Sequence, residues 1–291
     1  MGMGLRIKFN LAILAAFTVG FLIAAVGLRG VFIDSAREQV LQNARIMITT
    51  ANAIRKYTAQ DIGRLLPMER DGKFVAETVP AYAAQKNFKD VQAEFAGYSY
   101  REPTLNPTNL SNRAQTWEAD IIQLFRNDAT KPELIVERDT PTGPTLNLAR
   151  PITIRDAACL QCHSTPSAAP PALTKTYGTV NGFGWKLNET IGAQLLSLPM
   201  ALPLQAAHDA YVKFLLILVA IFVVVLAVLN ALLHYLVLAP VARVTAMADA
   251  VSLGNEDVEQ YVKPGSDEIS SLSISFNRMR ESLKHAMEMI K

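Results

Sequence analysis

Residues 214–238 have the sequence FLLILVAIFVVVLAVLNALLHYLVL, an uncharged apolar run with only two strongly polar members. A second uncharged run of Leu, Ile, Ala, Val and Phe extends from Leu11 to Leu28. Each run is long enough to cross a hydrocarbon layer of about 30 Å as a helix. The sequence therefore predicts two transmembrane helices, at residues 11–33 and 212–238, with a large segment between them.

The basic residues Arg6 and Lys8 precede the first run and favour a cytoplasmic N-terminus. Residues 1–10 are then cytoplasmic, residues 34–211 are exported, and the chain after the second span returns to the cytoplasm. This topology predicts a protein of the bacterial inner membrane, with the lipid bilayer as its first partner. The first run could instead be a cleaved signal peptide, but no clear A-x-A site follows it. The net charge of +2 gives no reason to expect a nucleic-acid partner.

The only two cysteines of the 291 residues lie in Cys159-Leu160-Gln161-Cys162-His163, the C-x-x-C-H pattern of c-type haem attachment. Two thiols at this spacing can add across the two vinyl groups of one porphyrin, and the histidine then lies beneath the iron. We therefore predict one covalent haem c, bound by Cys159 and Cys162, with His163 as proximal ligand. Haem attachment takes place on the exported side of bacterial membranes, where the topology puts this motif.

Two other chemistries also use a C-x-x-C pair. A zinc site needs three or four ligands at suitable spacing, and the sequence has no second Cys/His pair. A thioredoxin-type redox pair is expected at a turn from strand to helix, whereas STPSAAPP follows this motif at residues 164–171. Haem is the favoured interpretation, and the redox pair and half of a zinc site are the alternatives.

Between the spans, the patterns predict a single α+β sensor domain. Apolar residues from Asp34 to Lys56 recur close to a 3.6-residue period, which predicts a helix continuing from the first span. The other predicted elements are a helix over 112–125, with Trp117, Ile121 and Leu124 on one stripe, strands at 134–138 and 146–150, and a hairpin of 185–187 with 190–198.

Several stretches of this segment resemble a family of bacterial c-type haem domains with a PAS-like fold, whose members serve as extracytoplasmic sensor modules or as free haem proteins. The likeness covers about residues 37–201. Besides the C-x-x-C-H motif, the matching pieces are Asn106-Pro107, Trp117-Glu118, Arg150-Pro151, Ala169-Pro170-Pro171, Tyr177-Gly178, Gly182-Phe183-Gly184-Trp185-Lys186, Ile191-Gly192-Ala193-Gln194 and Pro199-Met200.

The resemblance also implies a distal haem ligand from the long N-terminal helix, which is a cysteine in at least one form of the family. This chain has no third cysteine. Met47 lies on the apolar stripe of the predicted helix and is our distal candidate, because His/Met ligation is established haem chemistry. Core packing is the alternative role for Met47. An open distal site also remains, and the weaker candidates are Met68, Met200 and His208.

Residues 239–291 carry two heptad-like segments. Pro240 is expected to break the second span at its exit, and the first segment is short. In the second, apolar residues follow strict 3-4 spacing, which predicts a coiled-coil helix. The members of this seam are Ile269, Leu272, Phe276, Met279, Leu283, Ala286 and Ile290.

Two short heptad helices joined by a connector directly after a membrane span resemble a HAMP domain. Asp267-Glu268-Ile269 and Ser275-Phe276-Asn277-Arg278-Met279 match that family, although Ser270 stands where its usual glycine would be. The resemblance implies a parallel four-helix bundle from two chains, and hence a homodimer. A tail with six Lys/Arg and eight Asp/Glu is not the basic amphipathic helix that membranes attract.

Together these features predict a membrane-anchored c-type haem sensor. The periplasmic haem domain would respond to redox state or to a diatomic ligand and relay the change through the HAMP domain to a separate cytoplasmic partner. The alternative is a membrane-tethered monohaem cytochrome that transfers electrons to a periplasmic redox partner. We do not expect an enzyme, because the sequence has no catalytic triad, no carboxylate pair near the haem motif and no Gly-rich phosphate loop.

Overall fold

The computed structural model of the protein describes residues 3–255 and 258–290. The chain forms two compact units, one from Met1–Leu28 and Tyr211–Lys291 and one from Arg29–Ala210. The second unit contains helices on a sheet and the first contains long helices. The α+β prediction for the segment between the spans is therefore confirmed. The PAS-like assignment and the exact domain boundaries stay predictions.

The first helix, α1, runs without interruption over Leu5–Tyr57. It continues through a wide π-helical turn, Thr58–Ile62, into the short α2, Gly63–Leu65. This confirms the predicted helix of residues 34–56 as an extension of the first apolar run. Within this part of α1, the stripe that is buried against the sheet consists of Val40, Leu41, Ala44, Ile48 and Ala51.

The remaining elements of the second unit follow in chain order. They are β1 Glu69–Arg70, β2 Lys73–Phe74, α3 Pro80–Glu94, β3 Ser99–Arg101, α4 Thr116–Asn127, β4 Leu134–Thr140, β5 Gly143–Thr153, α5 Leu160–His163, α6 Pro171–Tyr177 and β6 Thr190–Pro199. Strands β1 and β2 form a small antiparallel pair. The other four strands form an antiparallel sheet in the order β3-β6-β5-β4.

Alternating side chains of β5 and β6 pack on both faces of this sheet, as the period of two in a strand requires. On one face, Leu148 and Leu196 are paired across the strands and pack in the same cluster as Ile48 of α1. On the other face, Ala149 and Leu195 pack in the cluster of α4. The sheet is thus covered by α1 and α3 on one side and by α4 on the other.

Two details of the sequence prediction were wrong. The stripe of α4 includes Ile121 as predicted, but Leu124 is 47% exposed and Ile122 is fully buried in its place. Residues 185–187 are not a strand, so β6 has no hairpin partner before it and pairs with β5 and β3 instead. The reason is that Trp185 donates its backbone N–H to the His163 carbonyl at 3.2 Å. This hydrogen bond holds the segment against the C-x-x-C-H motif instead of against a strand.

In the first unit, α7 extends over Ala201–Leu232 and continues through a π-helical segment, Leu233–Leu238, into α8, Ala239–Ser252. The predicted break at Pro240 is therefore wrong. A proline removes an N–H and clashes with the carbonyl four residues earlier, and the wider π turn directly before Pro240 accommodates it without ending the helix.

The helices beginning at Leu5 and Ala201 are both long and apolar enough to cross a membrane, by length and composition. Inside the first unit they contact each other. Asn10 and Asn230 exchange two side-chain amide hydrogen bonds of 3.0 and 2.8 Å, and Phe17 stacks on Phe222 with 3.6 Å between ring centroids. Asn230, one of the two polar members of the second apolar run, therefore pairs the two helices. Amide pairs of this kind stabilise helix association in membranes.

The last helix, α9, spans Glu268–Ile290. Asp267 precedes it and accepts hydrogen bonds at 2.8 Å from the backbone N–H and the hydroxyl of Ser270. This N-cap explains why the helix begins here. Ser270, which stands in place of the usual glycine, is fully buried. It donates both of these hydrogen bonds and so contributes to the N-cap.

The two faces of α9 have different environments in the single chain. The polar residues Ser273 and Asn277 are buried, and the Asn277 amide donates to the Tyr261 carbonyl of the connector at 2.8 Å. Three members of the predicted apolar seam are exposed instead, Leu272 by 49%, Met279 by 60% and Leu283 by 50%, whereas Ile269, Phe276 and Ala286 are half-buried and the side chain of Ile290 lies outside the described residues. The helix is confirmed, and its seam has an apolar face that this chain does not cover.

Candidate haem-attachment site

The C-x-x-C-H motif forms one compact helical turn. A short 3-10 turn, Ala157–Cys159, leads directly into α5. Asp156 begins this turn, because its carboxylate accepts the Ala158 N–H at 2.8 Å. Residues three apart lie on the same side of such a turn, so Cys159 and Cys162 form a pair on one face. Both thiols are free and half-buried, and burial raises the pKa of each.

The His163 ring is held in the orientation that iron ligation needs. Its Nδ1 lies 2.7 Å from the Gly182 carbonyl oxygen. A carbonyl can only accept, so Nδ1 carries the proton and Nε2 presents its lone pair. Burial lowers the pKa of His163, although the Gly182 hydrogen bond opposes that shift, and the neutral form is favoured. A neutral imidazole with Nδ1 fixed by a carbonyl is the usual form of a metal-ligating histidine.

The Gly182 carbonyl is itself fixed by Asn106. The Asn106 side chain accepts the Gly182 N–H at 3.1 Å and donates to the Phe183 carbonyl at 3.2 Å. Gly182 has φ +83°, and a Cβ there would lie 2.0 Å from the Thr108 hydroxyl oxygen, so only glycine fits. Asn106, Gly182 and His163 thus form one chain of contacts that orients the ring.

Trp185 covers one face of the same ring. The indole and imidazole are stacked, with 3.8 Å between centroids and 16° between planes. Gly184 has φ +80° and donates its N–H to the Ser164 carbonyl at 2.9 Å, which turns the chain so that Trp185 reaches His163. The Gly-Phe-Gly-Trp run therefore forms a second wall of the motif.

Helix α1 reaches the motif through Arg55. The Arg55 guanidinium pairs with the buried carboxylate of Glu102, and its charge also lowers the pKa of the Cys159 thiol against the larger effect of burial. Only 25% of the Arg55 side chain is exposed. The Tyr100 hydroxyl donates to Glu102 at 2.7 Å and accepts from Gln194 at 3.0 Å, which extends this network across β3 and β6.

The four distal candidates occupy different surroundings. Met47 is half-buried against the cluster of α1 and the sheet, and Met200 is buried in the same cluster. Met68 alone of the four contacts the motif, with its sulfur 3.7 Å from the Cys162 sulfur. His208 is exposed on α7. The distal ligand stays a prediction for all four, because the contact of Met68 is with the side of the motif that provides the proximal His163.

The residues Cys159, Cys162 and His163 fit a covalent haem by every local criterion. The thiols are unbonded and on one face, and Nε2 of the histidine remains available while Nδ1 is fixed. Sequence reasoning noted the pieces that contain Asn106, Gly182 and Trp185 but assigned them no role. The pairing of Asn106 with a loop 76 residues away leaves no periodic signal in a single sequence.

Comparison with known proteins gives two family matches. The family model described as Tll0287-like matches residues 34–199, and that described as HAMP domain matches residues 232–285. One solved structure is similar, titled the crystal structure of the cyanobacterial heme-protein Tll0287. It is 15% identical, the match covers 55% of this chain and 95% of that one, and the TM-score is 0.44. No curated protein matches.

Proposed function

The chain belongs to the Tll0287-like family, and from that premise we propose that it is a membrane-anchored haem receptor that signals through a HAMP domain. Haem c is attached at Cys159 and Cys162, with His163 as proximal ligand. Haem supplies a redox-active iron that can also bind a diatomic ligand. The domain that contains it is PAS-like and periplasmic.

One observation carries this proposal. α1 is a single helix that begins before the first apolar run and ends beyond Arg55, which pairs with the buried Glu102 of the domain that contains the motif. At the other end of the domain, only Met200 separates β6 from α7. A change of charge or ligation at the haem therefore acts directly on elements that continue as the two apolar helices, without a flexible linker.

The HAMP domain provides the element with two states that a switch requires. We propose that it is a homodimer, because the exposed Leu272, Met279 and Leu283 form the apolar seam that pairs helices in a coiled coil. The output then passes to a separate cytoplasmic partner. We propose no enzymatic activity for the haem domain.

The second candidate function is that of a tethered electron carrier. It is favoured by the fixed His163 and by Met68 beside Cys162, since His/Met ligation suits fast electron transfer. This function leaves the HAMP domain as a dimeriser only.

The test uses the full chain in lipid nanodiscs, produced with a haem-attachment system. Spin labels at a Ser282→Cys position, exposed on α9 outside the seam, report the distance across the dimer with oxidised, reduced and carbon monoxide-treated haem. A sensor changes this distance with haem state, and a His163→Ala variant abolishes the change. An unchanged distance, with rapid electron transfer to a soluble cytochrome, contradicts the sensor and supports the carrier. Loss of all pigment after denaturation contradicts both.

A further inference from the structure

A cavity of about 600 Å³ lies beside the sheet, between α1 and the loop that follows α4. This volume is in the range of small-molecule sites. None of the residues assigned to haem attachment lines it. The side chains that do are Asn52, Arg55, Phe125, Ala129, Thr130, Lys131, Pro132, Arg150, Pro151, Ile152, Thr153, Arg155, Thr190 and Gln194.

The charge of this lining has one sign. It contains four cations, Arg55, Lys131, Arg150 and Arg155, and no aspartate or glutamate. Hydroxyl and amide groups alternate with them, and Phe125 and Ile152 give an apolar floor. Convergent guanidinium groups and hydroxyls over an apolar floor are the donor set that binds carboxylates, because the guanidinium fork matches the two carboxylate oxygens.

Two of the cations already form ion pairs with buried or half-buried carboxylates. Arg55 pairs with Glu102, and Arg150 donates to Glu133 at 3.1 Å, so both are fixed in direction. The other two are available. Lys131 lies 4.0 Å from its only ion-pair partner among the described residues, Asp128, and Arg155 makes no ion pair with any residue that the structure describes.

We propose that this cavity is a carboxylate-binding site of the exported domain. Lys131 and Arg155 bind the carboxylate groups, beside the ion-paired and therefore fixed Arg55 and Arg150. The carboxylates come either from a free small acid or from the propionates of the attached haem. The site needs no haem for its own structure, so the proposal stands apart from the proposed function, except for the propionate source.

Because of where the cavity lies, a carboxylate bound in it would be a second ligand, besides haem, that acts on helix α1. Asn52 and Arg55 of the lining belong to α1, and Gln194 belongs to β6. The Gln194 amide donates to the Asn52 side chain at 2.7 Å, so the cavity wall includes the contact that joins α1 to the sheet. A ligand here acts on the same helix as the haem motif does.

The test is calorimetric titration of the full chain in nanodiscs with succinate, citrate and inorganic phosphate, with and without attached haem. The haem-free form is the Cys159→Ala/Cys162→Ala variant. Lys131→Gln/Arg155→Gln removes the two available cations from the surface of the domain. Arg70→Gln, at an exposed arginine that among the described residues pairs only with its neighbour Asp71, is the matched control.

We expect saturable binding of succinate or citrate that weakens about tenfold or more in the double variant and stays within twofold in the control. Binding to both forms identifies a free acid. Binding to the haem-free form alone, with a shifted haem reduction potential in Lys131→Gln/Arg155→Gln, identifies the propionates. The proposal is overturned if no acid binds either form, or if the double variant changes neither affinity nor potential while its unfolding temperature is unchanged.

Discussion

The C-x-x-C-H motif and helix α9 differ in whether their side chains find all their contacts within one chain. At the motif, His163 is oriented by Gly182 and Gly182 by Asn106, so the site is complete within one chain. On α9, Ser273 and the amide N–H groups of Asn277 form hydrogen bonds within the chain, but Leu272 and Leu283 are about half exposed. We therefore expect substitutions in the first region to affect haem attachment and substitutions in the second to affect the pairing of two chains.

The sharpest test of the first region is removal of its thiols. In Cys159→Ala/Cys162→Ala we expect complete loss of the pigment that survives denaturation, because no other cysteine exists in the chain. The measurement is haem staining of the denatured protein. The single variant Cys162→Ala should keep one thioether and part of the stain. Equal staining of the double variant and the parent would mean that the motif does not attach haem.

The matching test of the second region is Leu283→Asp. Burying a leucine contributes about 1.5–3 kcal/mol, and a two-fold symmetric interface contains the position twice. We therefore expect the dimer to weaken by about 100-fold or more, measured by energy transfer between labelled chains in nanodiscs. The adjacent exposed Ser282→Asp is the control and should leave association nearly unchanged. Equal loss in both variants would contradict the assigned seam.

The distal ligand can be assigned by comparing two methionines. If Met68, whose sulfur lies 3.7 Å from the Cys162 sulfur, is the distal ligand, Met68→Ala removes the far-red band of methionine–ferric haem ligation. Met47→Ala should keep this band and instead lower the unfolding temperature, since Met47 packs against the core cluster. The reverse result would restore Met47 as the ligand. A parent protein without the band would indicate an open or different distal site.

Asn106 fixes the loop that orients His163, so we expect its substitution to change the haem reduction potential, a smaller effect than the loss of a ligand. Asn106→Ala frees the loop that presents the Gly182 carbonyl, so the imidazole becomes a weaker donor to ferric iron and the reduction potential should rise. Outer hydrogen bonds of this kind change metal affinity about 10- to 100-fold. Potentiometric titration measures the shift. Asn181→Ala is the control, because Asn181 lies in the same loop and contacts only Arg113 among the residues described.

The smallest effect is expected for the stability of the fold at acid pH, to which Glu133 contributes. Burial opposes ionisation of Glu133, but hydrogen bonds from Arg45 and Arg150 outweigh it and hold its pKa below the ordinary value. Its carboxylate therefore stabilises the fold above the unfolded pKa of about 4.3, and this contribution is lost as the pH falls through the lower folded value.

We expect Glu133→Gln to flatten this acid loss, measured by thermal unfolding between neutral and acid pH. Glu137→Gln, at an exposed partner of Arg37, is the control and should follow the parent. A parent whose unfolding temperature does not fall on acidification, or falls equally in Glu133→Gln, would show that the contacts of Glu133 with Arg45 and Arg150 contribute nothing.

Much of this organisation could be predicted from the sequence, because periodic and short-range patterns carry it. The helix over 34–56, strands β4 and β5, and the seam of α9 repeat at the period of their own backbone. The roles of Asn106 and Gly182 could not be predicted, since they depend on contacts between distant segments. The same cause explains the wrong hairpin: residues 185–187 have strand-like composition, but the Trp185 N–H is donated to the His163 carbonyl of α5 and the Lys186 backbone groups bond to Glu189.

The π-helical segment Leu233–Leu238 has a consequence for how α7 and α8 are aligned in rotation. A turn with i→i+5 bonds contains one residue more than an α-helical turn, and one residue of an α-helix corresponds to about 100° of rotation. The wide turn therefore accommodates one extra residue while the helix continues into α8. Deleting a single residue from this segment would convert it to α-helical turns with little rotation of α8, whereas a deletion within the regular part of α7 would turn everything downstream by about that angle.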